Sequence, residues 1–107
     1  MRRYMLQLKF SAAAVKALVA KPQNRKPEAR KAIKQMGGRL VDYYFTFGDW
    51  DAVLIFDLES DVQALAAAMI DGATGVGNSK ITVLHSMDDA VEAMKIANQL
   101  SYRPPGG

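Results

Sequence analysis

The chain contains no cysteine, which excludes disulfides, thiolate nucleophiles and cysteine metal ligation. Histidine occurs once, at His85, and has no Cys, His or Glu at ligand spacing to make a metal site. No run approaches the ~20 apolar residues that cross a bilayer. Met1-Arg2-Arg3-Tyr4 starts basic, but the stretch behind it carries Gln7 and Lys9 and is too short and polar for a signal core. The expectation is a soluble, cytoplasmic protein. Acid is nearly missing from the first part of the chain: residues 1–41 carry eleven Lys/Arg and one acid, residues 42–107 three Lys/Arg and ten acids. Such asymmetry marks either a basic surface for anionic partners or two parts that complement each other. The second reading is preferred, because one folded domain brings its halves together.

What is present fits one globular domain. Of 107 residues, 50% are hydrophobic and 23% charged, enough for a core without metals or crosslinks. Tyr4, Leu6, Leu8 and Phe10 alternate with Met5, Gln7 and Lys9, the period of a half-buried strand. Ser11 caps a short Ala-rich helix to about Ala20, and Pro22 and Pro27 break it. A second helix runs from about Pro27 to Met36 and ends at Gly37-Gly38. A hairpin follows: Arg39 to Phe47, a turn at Gly48-Asp49-Trp50, then Asp51 to Leu58. Ser60 and Gln63 form a capping box for a helix whose apolar residues are Val62, Leu65, Ala66, Met69 and Ile70. Residues 72–78 read as a loop, Lys80 to Ser86 as a fourth strand, and Asp88 to Leu100 as a last helix with Val91, Met94 and Ala97 on one side.

The fold class is therefore α+β, a ferredoxin-like β-α-β-β-α-β order with an extra C-terminal helix. The domain spans residues 1–98 and a Pro/Gly tail residues 99–107. Within Ala52 to Phe56, Leu54 and Phe56 fall on one face and Val53 and Ile55 on the other. A strand apolar on both faces is expected to be covered on both. Two helices cover one face, so a second subunit's sheet or the C-terminal helix must cover the other. A homodimer or higher homo-oligomer through the sheet face is expected.

At these residues the chain resembles the GYD-domain proteins, small bacterial domains. The matching features are the opening strand Tyr4 to Phe10, the helix ending at Gly37-Gly38, and the aromatic strand before Gly48-Asp49-Trp50-Asp51. The strand Ala52 to Asp57 and the entry from Gly77 to Thr82 match as well, and the resemblance covers about residues 3–94. It implies a ferredoxin-like domain in a dimeric α/β-barrel assembly. The naming motif is carried by Gly48, Trp50 and Asp51, with Trp where Tyr is usual and Asp49 inserted, so the phenolic hydroxyl is lost. The resemblance brings no catalytic residues with it.

Five of the nine aromatic residues lie in Tyr43 to Asp51, making that hairpin either structural or the floor of a site. In the functional reading Trp50 is a pocket wall and Asp51 a general base. Catalytic candidates are His85, Asp51 and Tyr44; ligand-binding candidates are Gln7, Lys9, Tyr44 and Trp50. Gln7, Lys9, Asp42, Tyr44, Thr46 and Thr82 alternate onto the less apolar strand faces and would line a space between subunits. No metal and no cofactor is expected. The basic segment Lys21, Arg25, Lys26, Arg30, Lys31, Lys34 and Arg39 lacks interleaved aromatics, so nucleic acid is not an expected partner, nor is a membrane. Gly72, Gly75 and Gly77 lack dinucleotide spacing and follow a helix. Three function classes result. The first is a ligand-binding or structural module. The second is an acid–base enzyme acting on a small organic substrate in an interface pocket. The third is a polyanion binder.

Overall fold

The computed structural model describes residues 1–75 and 77–106. Among them the chain forms β1 (Arg2–Phe10), α1 (Ala12–Ala20), α2 (Lys26–Gln35), β2 (Arg39–Phe45), β3 (Ala52–Leu58), α3 (Asp61–Thr74), β4 (Gly77–Leu84) and α4 (Met87–Gln99). The strands make one sheet in the order β2-β3-β1-β4, with every neighbouring pair antiparallel. This α+β arrangement is consistent with a ferredoxin-like fold. No helix among the described residues is long and apolar enough to cross a membrane.

Alternation along β1 and β3 decides where the core sits. Tyr4, Leu6 and Leu8 of β1 and Leu54, Phe56 and Leu58 of β3 are buried on the helix side, joined by Ile33 of α2, Leu40 of β2 and Ala64 of α3. The Tyr4 and Phe56 rings stack with centroids 5.9 Å apart. The Tyr4 hydroxyl leaves the core to donate to Asp61 Oδ1 at 2.6 Å, so its polar tip is satisfied.

Local signals place the helix ends. Ser11 caps α1 by accepting from the Ala14 N–H at 3.1 Å. Gln63 accepts from the Ser60 and Glu59 N–H groups at 3.3 and 3.0 Å, one half of a capping box. After α2, Gly37 takes the left-handed conformation at φ 78°. A Cβ on the next residue, Gly38, would stand 2.3 Å from the Asp57 carbonyl, so only glycine lets this turn close against β3.

Three features differ from the sequence expectation. The turn face of α3 is the first: Ala64 and Ala67 are buried, while Val62, Leu65, Met69 and Ile70 are exposed. Close approach of a helix to the sheet selects small side chains, and the larger apolar residues are left outside. Secondly, α3 continues through Gly72 to Thr74 and is ended by Gly75 at φ 70°, and β4 starts at Gly77 and stops at Leu84. Most of the expected 72–78 loop is therefore regular structure; its Val76 lies outside the described residues, as does Gly107 of the tail. Thirdly, no residue of α4 is buried among those described. The molecule measures 58 × 33 × 23 Å with a radius of gyration of 17.7 Å, against about 13 Å for a compact chain of this length. It is elongated because α4 and the tail stand away from the sheet.

Part of the uneven charge is resolved within the domain. Arg2 pairs with Asp61, Arg3 and Arg39 with Asp57, Lys9 with Asp51, and Lys26 with Asp42, at 2.8–3.3 Å. Each pair joins a base from the first 41 residues to an acid from the remainder.

Candidate functional site

Strand register gathers most of the polar candidates on the sheet face away from the helices. One row across the sheet reads Tyr44, Val53, Gln7, Lys80; the next reads Asp42, Ile55, Met5, Thr82; the third reads Arg39, Asp57, Arg3, Leu84. The centre of this open face is thus Met5, Val53 and Ile55, all partly buried by their neighbours. Charged and polar residues frame it on either side.

The framing groups are held tightly. Asp42 accepts from the Tyr44 hydroxyl at 2.6 Å, from Lys26 Nζ at 2.9 Å and from the Tyr43 N–H at 2.9 Å. These bonds, Tyr44's first, hold the Asp42 carboxyl well below the usual carboxylate range. The same bond pushes the Tyr44 phenol up. At neutral pH the acid is ionised and the phenol protonated, so neither is poised for proton transfer. Asp57 takes a two-pronged contact from Arg3 at 2.8 and 3.1 Å and a third bond from Arg39 at 2.9 Å. Chiefly through the Arg3 bond, its carboxyl is likewise held low.

Asp51 serves the hairpin. Its Oδ2 accepts from the Phe10 N–H at 2.8 Å and its Oδ1 lies 3.3 Å from Lys9 Nζ. Its N–H donates to the Leu8 carbonyl at 2.7 Å, and its carbonyl accepts from the Thr46 N–H at 2.8 Å. Thr46 also donates its hydroxyl to the Trp50 carbonyl at 2.6 Å. The Gly-Asp-Trp-Asp turn is therefore stitched to the end of β1 by backbone and carboxylate together. Trp50 is partly buried, and His85 is exposed just beyond β4.

On the opposite side of the sheet lies a cavity of about 430 Å3 between β1, β3 and the three helices α1, α2 and α3. Its walls are mostly apolar: Leu6, Leu8, Phe10, Leu18 and Leu54, with Ala14, Ala17, Ala29, Ala32 and Ala67 from the helices. Alanines from three helices line this space without filling it. Asp71, from the last turns of α3, also lines it. The Asp71 Oδ2 is buried and has no hydrogen-bond partner in the protein, the one such side-chain atom among the described residues. Burial pushes its carboxyl up.

The model of the family described as GYD domain matches residues 4–94. The chain belongs to the GYD-domain family. No curated protein and no solved structure matches it. The match covers β1 from Tyr4, the other three strands and the first three helices, together with most of α4.

For this GYD-domain chain, the structure brings Gln7 and Tyr44 together on the open face and places Lys9 and Asp51 in contact at its end. Trp50 shares that end through the turn, while His85 sits apart. No three His, Asp or Glu side chains converge to hold a metal ion among the described residues. Asp71 and the alanine walls were not singled out from the sequence. The available signal was an acid on the same helical stripe as Ala64 and Ala67, at spacings of seven and four.

A buried carboxylate oxygen without a partner is a cost to folding. Asp71→Asn is expected to stabilise the chain by about 1 kcal/mol at neutral pH, because the amide has no charge to desolvate where the carboxylate does. The sign follows from linkage: a carboxyl raised in the folded state opposes folding only once it ionises. The difference between the variant and the parent should therefore vanish below the ordinary carboxylate range and grow as pH rises through it. Urea titrations at acidic and neutral pH would measure both values.

Proposed function

We propose that this GYD-domain chain is a self-associating binding module that pairs through the open face of its sheet. One observation carries the reading: Met5, Val53 and Ile55 form an apolar centre on a face that α1, α2 and α3 do not cover and from which α4 stands away. Burying aliphatic side chains is worth about 1.5–3 kcal/mol each, and the same residues are contributed twice in a symmetric pair. Leu84 extends the centre toward β4.

Further uncovered apolar residues support assembly beyond a single chain. Val62, Leu65 and Met69 on α3 and Val91 and Met94 on α4 are exposed, and contiguous apolar surface of that kind marks contact sites. The framing ion pairs around Asp42 and Asp57 would then set the rim and the register.

An acid–base enzyme is supported less well by the same geometry. Asp51 is committed to the hairpin and Tyr44 to Asp42, while His85 stands alone at the surface. Three of the seven bases in the basic segment, Lys26, Lys31 and Arg39, are paired with acids within the chain, which weakens the case for a polyanion site.

Sedimentation equilibrium tests the proposal. The expected result is the mass of a dimer, or of a multiple of it, at micromolar concentration. A single-chain mass at the highest concentrations reached would end this reading.

A further inference from the structure

The cavity beneath α1, α2 and α3 has the properties of a ligand site. Its volume of about 430 Å3 falls within the ~300–1,000 Å3 typical of small-molecule pockets. Its charged lining consists of Asp71, Glu28 and Arg25, two acids against one base. Glu28 Oε1 lies 3.9 Å from Lys31 Nζ, and Arg25 Nη1 donates to Gln23 Oε1 at 2.8 Å. Arg25 therefore does not pair with Asp71, whose Oδ2 is buried without a partner. Tyr43, raised mainly by its own burial, adds an aromatic wall near both Arg25 and Asp71.

We propose that this cavity binds a small organic amine with an apolar or aromatic body, its ammonium group donating to the Asp71 carboxylate and its body resting against the alanine walls. A carboxylate with one oxygen buried and unpartnered gains most from a cationic donor, because charge-assisted bonds are about twice as strong as neutral ones. An anionic ligand of the same shape would meet the buried acid instead. The site is walled by one chain and lies across the sheet from the open face, so it does not depend on self-association.

The test titrates the full-length chain with phenethylamine, and with phenylacetate and ethylbenzene as probes of the same body without the cation. Binding is followed by the amide shifts of Ala17, Ala32 and Asp71. Phenethylamine should saturate and bind at least about tenfold more tightly than phenylacetate, a difference of ~1.4 kcal/mol. Asp71→Asn should remove that tenfold advantage and leave ethylbenzene unchanged. Ala17→Leu, which fills the cavity from the α1 side, should abolish binding of both while circular dichroism shows a folded chain. Equal affinities for amine and acid, an Asp71→Asn variant that binds the amine as the parent does, or shifts that never saturate would each overturn the proposal. So would an Arg25 that swings in to pair with Asp71, which would show as a loss of stability in Asp71→Asn.

Discussion

Phe56→Ala should lower the free energy of unfolding by about 3–5 kcal/mol, the range for deleting a buried ring. Phe56 is 0% exposed and sits on β3, between β1 and β2 in the sheet. It lies directly between Leu40 of β2 and Tyr4 of β1 in the sheet, on the helix side. Truncation removes the stack on Tyr4 and leaves a void walled by a sheet that cannot collapse into it. Domains of this size have about 5–15 kcal/mol in total, so the variant should unfold at a much lower urea concentration. Phe47, at 103% exposure in the turn, provides the contrast: Phe47→Ala should change stability by no more than about 0.5 kcal/mol.

Ile55→Glu should weaken self-association at least about a hundredfold, which corresponds to ~2.8 kcal/mol. Ile55 lies in the middle row of the open face between Asp42 and Met5. In a single chain that face is open, so a glutamate there can reach water and the fold should persist. In a face-to-face pair two glutamates would be buried close together beside Asp42 from each copy, an unpaired charge that interfaces tolerate at a cost of several kcal/mol. Light scattering of the variant should give a single-chain mass where the parent gives a dimer, with an unchanged circular dichroism spectrum. A variant that stays associated would move the contact to another surface, such as the outer stripe of α3.

The parts of the fold that depend on period were legible in the sequence. Strand β3 announces itself because apolar residues on both faces of a strand have few other homes, and Tyr4 to Phe10 alternate cleanly. The complementary charge of the two chain parts also emerged as Arg3–Asp57 and Lys9–Asp51, pairs separated by 54 and 42 residues. Hydropathy misjudged α3, however. Packing distance ranked Ala64 and Ala67 above Leu65 and Met69 for the inner face, and a hydrophobicity pattern does not register size. The cavity was hidden for the same reason, since it arises from short side chains on three helices that only the tertiary fold brings together. Asp51 illustrates the limit at the candidate site: its place in the hairpin could be read, but its bond to the Phe10 N–H requires knowing that β1 ends beside the turn.

The most direct measurement is solvent accessibility of side-chain methyl groups, read by a soluble paramagnetic relaxation agent at a concentration where the chain is associated. Pairing through the open face predicts that the Val53 and Ile55 methyls are protected in the parent and become exposed to the agent when dilution separates the copies. Methyls of Val53 and Ile55 that relax as fast as that of the exposed Met1, at every concentration, would contradict it.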